Sequence, residues 1–238
     1  MCLLPLLITG VMMVIDLFAP GLLRDIKYFL GEMTVQIFFL LDVQLMALFF
    51  GSSIISEEVE DKTLAFLISR PVSRAAIFLG KYFAYMAIPL MLMLAGLTVS
   101  LSVYFSIANF DVLFSGYVVF ILQLWGVAFL HLLGYYSLFA FLGSLMRRPI
   151  IAGMVFVFGW ENLVRILPGV SRYLTLNFYL HPLLPSFNYS KHPQIMAFRI
   201  TDPTIAESIG AVVGMSLVFL IAAFLIFRYK EFVLTESI

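Results

Sequence analysis

An all-α, polytopic membrane protein with six transmembrane helices is the fold class this chain predicts, and three observations carry the prediction. The 238 residues are 63% hydrophobic and only 12% charged, with a mean hydropathy of +1.06, whereas a soluble domain carries roughly 25% charged and 45–50% apolar residues. Six apolar stretches reach or approach the about 20 residues that a helix needs to cross a hydrocarbon core about 30 Å thick. Phenylalanine (25 residues) and tyrosine (11 residues) are abundant, as lipid-facing surfaces and interfacial belts require. No internal repeat, low-complexity tract or soluble-domain linker interrupts the pattern, so residues 1–238 read as a single transmembrane domain.

The first stretch, Cys2–Ala19, is apolar apart from Asp16, and Arg24 is the first basic residue. A secretory signal needs a positive segment ahead of its apolar run, so a retained membrane helix is expected. The second is Val35–Ile55 and the third Tyr82–Phe105. The fourth, Val112–Met146, has no Asp, Glu, Lys or Arg before its end. At 1.5 Å per residue it would reach roughly 50 Å, so a single helix that tilts, bends or projects is expected. The fifth, Ile150–Val164, is interrupted by Glu161 and followed by Arg165, Pro168 and Gly169, and so is the weakest. The sixth is Ile205–Phe227. Between the last two lies a loop, residues 165–204, with five of the ten prolines, Pro168, Pro182, Pro185, Pro193 and Pro203. Its proline, aromatic and polar content predicts a compact extracytoplasmic cap with short interfacial helices.

Six spans put both termini on one side. With the N-terminus in the cytoplasm, the inner segments hold eight basic residues (Lys62, Arg70, Arg74, Lys81, Arg147, Arg148, Arg228 and Lys230) against six outside. The positive-inside rule therefore favours cytoplasmic termini. Zero net charge and a pI near 6.8 give nucleic acid nothing to bind. Cys2 is the only cysteine, which excludes an intrachain disulfide, and no Cys/His spacing suggests zinc.

Charge is concentrated in one place. Eight of the 28 charged residues fall within the segment 57–81: Glu57, Glu58, Glu60, Asp61, Lys62, Arg70, Arg74 and Lys81. Thr63 to Ser69 reads as a short helix, with Leu64, Leu67 and Ile68 forming one apolar stripe. Asp61 can cap its N-terminus. Pro71 disfavours helix at Arg70 and can open the next helix, which runs through Arg74 and Lys81 into the third span. A merely solvated loop needs neither an apolar stripe nor a proline-defined corner. This one suits a groove on a soluble partner, with apolar anchors and charged edges.

These residues resemble a family. The run Glu57-Glu58-Val59-Glu60-Asp61-Lys62-Thr63-Leu64, then Leu67-Ile68-Ser69-Arg70-Pro71-Val72-Ser73-Arg74 and Leu79-Gly80-Lys81, is similar to the signature of ABC-2-type permeases, the membrane subunits of ATP-binding-cassette exporters. The resemblance implies that this segment is the coupling helix seated on an ABC ATPase subunit. It also implies six spans, two copies of the ATPase, and a second permease copy or sibling permease. Lys62 stands where many members have glycine, which alters the turn rather than the helix. The chain also begins almost at its first span, where members commonly carry a basic amphipathic segment. Gly80-Lys81 lacks the glycine and Ser/Thr of a phosphate-binding loop. ATP and magnesium would therefore be held by the partner ATPase, with no cofactor, catalytic group or metal expected in this chain.

Ionisable groups at bilayer depth are functional candidates by default. Asp42 stands near Gln36 and Gln44. His131 has Gln123 eight residues earlier on about the same face, and Glu161 sits beside Trp160. The plainer reading of each, ranked first, is a structural hydrogen bond between helices, or in Glu161's case an interfacial carboxylate. Met12, Met13, Met91 and Met93 read as gap-filling apolar residues. Two other functional classes fit less of the chain. A membrane-embedded enzyme would gather Asp42, His131 and Glu161 in one cavity, and a non-transporting scaffold would use the loop without any transport path.

Overall fold

The computed structural model describes residues 38–60, 74–108, 114–146, 148–166, 173–184 and 203–229. These are helices and turns, with no strand among the described residues. A π turn, Phe38–Asp42, runs directly into helix α1, Val43–Glu60. Helix α2 spans Arg74–Ala108 and α3 spans Phe114–Leu145. Helix α4, Pro149–Met154, continues through a second π turn, Val155–Trp160, into α5, Glu161–Ile166. A short α6, Leu176–Leu180, precedes α7, Ile205–Tyr229.

Three stretches are long and apolar enough to cross a membrane: Ala75–Ser102, Val118–Leu145 and Ile205–Tyr229. Val43–Ile54 and Pro149–Trp160 are shorter apolar helices. The described part of the expected second span thus opens on a π turn, the expected fifth coincides with a helix that a π turn divides, and the expected first span lies outside the described residues. The fourth is the single 32-residue helix expected. It ends before Arg148 and Pro149, where Pro149 starts α4 because a missing N–H costs nothing in a first turn. Helix α2 carries Pro89 in its interior, which removes one backbone hydrogen bond. Neighbouring helices and hydroxyls make such a residue tolerable inside a membrane.

Side-chain contacts set the helix directions. Gln44 meets Tyr135 and, eight residues on in each helix, Ser52 meets Gly143, so α1 and α3 run parallel. Gly134 meets Val212 and, seven residues on in each, Phe141 meets Phe219, so α3 and α7 are parallel too. Helix α2 runs the other way, since Tyr82 packs on Tyr136 while Thr98 accepts a hydrogen bond from Trp125 Nε1 at 3.1 Å. The C-terminal ends of α1, α3 and α7 therefore share one end of the bundle with the start of α2. The opposite end of the α2–α3 hairpin projects. Helix α3 begins 13 residues, roughly 20 Å, beyond the level of Ile205, as its length led us to expect.

The core is aromatic and close-packed. Tyr82, Tyr135, Tyr136, Phe38, Phe39, Phe78 and Phe139 are fully buried. Small residues let the backbones approach: Gly51 lies on Tyr136 and Phe139, Gly143 on Ser52, and Gly153 on Leu48 and Phe139.

Two features of the loop before α7 differ from expectation or were not anticipated. Leu176, in the segment expected to form a cap, reaches the level of Gly134 and Val212. That is roughly two turns below the start of α7. Leu176 and Leu180 are buried there, because an apolar face gains more between α3 and α7 than over their ends. At Ile205 the helix opens on a capping box. Thr204 N donates to Glu207 Oε2 at 2.8 Å, and Glu207 N donates to Thr204 Oγ1 at 3.3 Å. Thr204→Ala is expected to speed amide hydrogen exchange in the first turn of α7 alone, leaving residues after Val212 unchanged.

Candidate functional site

Two sets of residues compete for function, and the fold separates them. The first is the charged segment. Glu57 and Glu58 lie on the last turn and a half of α1, and Arg74 is the first residue of α2. Asp61, Thr63, Leu64, Leu67, Ile68, Arg70 and Pro71 lie outside the described residues, as does the expected amphipathic helix. The helices on either side are antiparallel, so 13 residues, 61–73, join two helix ends at one end of the bundle. Arg148 and Arg228 belong to the same end, and Lys81 lies two turns along α2 from it. Lys81 Nζ is 5.9 Å from the centre of the Tyr85 ring, and the Arg228 guanidinium is 5.5 Å from that of Tyr229. Aromatic rings holding cations at a helix end are what an interfacial belt provides.

The second set is buried. Asp42 closes the first π turn and is 3% exposed, and its Oδ2 has no hydrogen-bond partner. His131 is 2% exposed, and neither ring nitrogen has a partner. Its imidazole is held between Tyr135, stacked at 5.1 Å between ring centres, and Phe39 at 5.5 Å. One turn further along, Gln44 Nε2 donates to the Tyr135 hydroxyl at 3.0 Å. A single α1–α3 seam thus brings together Phe39, Asp42, Gln44, His131 and Tyr135.

Glu161 is elsewhere. It opens α5 directly after the second π turn and is buried. The chain reverses between α3 and α4, bringing Gly153 back onto Phe139. Eight residues from each of these lie Glu161 and His131, so the two stand at about the same height on separate helices. Among the described residues no group of three or more His, Cys, Asp or Glu could hold a metal ion. The expectation that Gln123 shares a face with His131 is corrected: Gln123 is exposed and His131 buried. Eight residues overshoot two turns of 3.6 by about 80°, enough to carry Gln123 out of the seam.

The sequence reading did not anticipate the π turns. Each abuts a buried carboxylate, Asp42 at the end of one and Glu161 just after the other. One extra residue per turn re-aims the side chains that follow, and such bulges collect at functional sites. No periodicity rule marks them in advance.

The Gln44–Tyr135 bond has a measurable consequence. Interhelical hydrogen bonds in membranes average about 0.6 kcal/mol. Tyr135→Phe is therefore expected to lower the stability of the detergent-solubilised chain by about that amount, read from its unfolding midpoint in mixed micelles. A loss several times larger would mean that the hydroxyl supports more than Gln44.

A family model described as ABC-2 family transporter protein matches residues 25–232 of the chain. No curated protein matches it, and no solved structure does.

Proposed function

The chain belongs to the ABC-2 family of transporter proteins, and from that premise we propose that it is the permease subunit of an ATP-binding-cassette exporter. In this reading it moves cargo out across the cytoplasmic membrane, on energy from ATP and magnesium bound by a separate ATPase subunit. Two ATPase copies and a second permease, identical or sibling, complete the complex. Six spans with cytoplasmic termini are part of the same reading.

One observation carries it. The charged segment joins antiparallel helices at the bundle end that also holds Arg148 and Arg228, with Lys81 two turns along α2. A surface-seated element there is tied directly to α1, which packs along α3 through Gly51, Ser52 and Gly143. Close-packed interiors transmit displacement rather than absorb it. When the ATPases close on nucleotide, the segment between Glu57 and Arg74 is pushed as a rigid lever. Helices α1 and α2 then carry that motion to the α1–α3 seam. Leu64, Leu67 and Ile68 supply the anchor, Glu57, Glu58 and Asp61 the acidic rim and cap, and Arg70, Pro71 and Arg74 the corner into α2. Thr63 begins the short helix.

Alanine at Glu58, Leu67 and Arg74 together is expected to abolish ATPase capture and cargo-stimulated ATP hydrolysis, while the purified chain stays folded. If that triple variant still bound the ATPase and hydrolysed ATP at the unaltered rate, the segment would not be the coupling element.

A further inference from the structure

Helices α2 and α7 touch near one end of the bundle and leave a cleft beyond the contact. The Phe78 ring lies 5.8 Å from that of Phe224 and 5.7 Å from that of Phe227, close to where α2 begins and α7 ends. Tyr82, one turn further along α2, packs on Tyr136 of α3 instead. A helix turns about 100° per residue, so Tyr82 stands about 40° to one side of Phe78 and Lys81 about 60° to the other. Tyr85, Ile88 and Leu92 continue the Lys81 stripe along that flank. On α7, Leu217, Ile221 and Arg228 form a matching stripe, about 20–60° to one side of Phe224. Val212 and Phe219, which meet α3, lie about 120–140° to its other side. Both stripes therefore turn away from α3 and line one cleft on the outside of the bundle. Ile88, Leu92, Leu217 and Ile221 are exposed, so the helices do not close over it.

Each stripe carries a cation toward the charged end of the bundle and exposed aliphatic groups toward the middle of the membrane. Because the two helices are antiparallel, Lys81 lies a few residues inward of the Phe78 contact and Arg228 slightly outward of it. The two are thus roughly 8 Å apart along the bundle axis, within the joint reach of their side chains. Lys81 Nζ is turned along its stripe, 5.9 Å from the centre of the Tyr85 ring. An ammonium and a guanidinium each have several N–H donors, so each can hold a phosphate oxygen alongside any acceptor within the protein. Helix α2 has no carboxylate, and α7 has only Glu207, at its opposite end. Glu57, Glu58 and Glu60 end α1 on another side of the bundle. Gly143 meets Ser52 of α1, and Phe141, about 160° round α3 from it, meets Phe219 of α7. Asp61 and Glu231 lie outside the described residues. An anion between Lys81 and Arg228 would border an apolar wall that runs roughly 16 Å from Lys81 to Leu92. A soluble phosphate leaves that wall unused, whereas an acyl chain covers it. Basic pockets between spans on the cytoplasmic side suit anionic headgroups. We propose that the α2–α7 cleft binds an anionic phospholipid, its phosphate between Lys81 and Arg228 and its acyl chains along Ile88, Leu92, Leu217 and Ile221. Such a site would exist whether or not an ATPase drives the chain.

The test is native mass spectrometry of the full chain from detergent micelles doped with dioleoyl phosphatidylglycerol or dioleoyl phosphatidylcholine, which share acyl chains and differ in net charge. The expected result is a single tightly held phosphatidylglycerol, retained at least about tenfold more strongly than phosphatidylcholine, since each basic residue at an anionic membrane surface contributes about fivefold. Lys81→Gln and Arg228→Gln together should bring the two lipids to within about twofold, and Arg228→Gln alone should lose about fivefold. Arg148→Gln removes an exposed cation from the same bundle end, just before α4, and should keep the preference. Equal retention of the two lipids by the unaltered chain overturns the proposal, as does a preference that Arg148→Gln weakens as much as Arg228→Gln does. Displacement of the lipid by soluble glycerol 3-phosphate at equal concentration overturns it too, since charge alone would then suffice. Should the double variant fail to fold, Arg228→Gln alone decides, and an undiminished preference in it overturns the proposal.

Discussion

Gly143→Ala is expected to prevent α1 and α3 from closing. A methyl group there would lie 2.6 Å from the Ser52 carbonyl oxygen and 3.1 Å from its Cα. Both are backbone atoms, so no rotamer change relieves the clash and the helices must part by several tenths of an ångström or more. That movement loosens the contacts of Gly51 with Tyr136 and Phe139 along the same seam. Overpacking of a close-fitted core costs typically about 1–3 kcal/mol, and a backbone contact belongs at the upper end. Gly153→Ala should also destabilise, through Leu48 and Phe139. The Leu48 contact involves a side-chain end that can swing, so the cost is smaller. Gly210→Ala is the control, because a methyl there meets nothing within 4 Å. Alanine exceeds glycine in helix propensity by up to about 1 kcal/mol, so that variant should be neutral or slightly more stable. The measurement is the unfolding midpoint of each purified variant in one detergent, with the monodisperse yield beside it. Gly143→Ala and Gly210→Ala behaving alike would show that the seam is not packed as described.

Labelling from the two sides of the membrane should give an all-or-none result. The parallel run of α1, α3 and α7 against α2 gathers Glu60, Arg74, Leu145 and Tyr229 at one end of the bundle. Basic residues near span ends orient a membrane protein with that end inside. In a Cys2→Ser background, Ser73→Cys is expected to resist a membrane-impermeant maleimide in intact cells and to react fully once the membrane is permeabilised. Ser171→Cys, in the loop before α7, should react in intact cells. The reverse pattern would place the charged segment outside, where no ATPase could reach it.

Composition and periodicity made much of this architecture legible. An unbroken run without charge is enough to identify α3 as one helix, and the cost of an ionisable group at membrane depth is enough to single out Asp42, His131 and Glu161, all of which are buried. The capping box was readable in principle, since Thr204 and Glu207 stand at its characteristic spacing. What stayed hidden depends on tertiary contact. Gly143 and Gly210 are the same residue in the same kind of helix, yet one lies on backbone and the other on open space. The π turns leave no periodic trace. The depth of Leu176 depends on a groove between α3 and α7 that only the assembled bundle creates. The residues proposed for coupling between Asp61 and Pro71 lie outside the described residues, so that proposal rests on the family signature.

A separate ATPase is proposed to drive this chain through the segment 57–81. The most direct test is to isolate the tagged chain from its native membrane in mild detergent and to measure the mass and ATP hydrolysis of what accompanies it. The predicted result is a complex with two ATPase subunits and two permease subunits, which hydrolyses ATP and dissociates when Leu64, Leu67 and Ile68 are replaced by Glu. Recovery of the folded chain with no ATPase and no ATP hydrolysis, before and after that substitution alike, would contradict it.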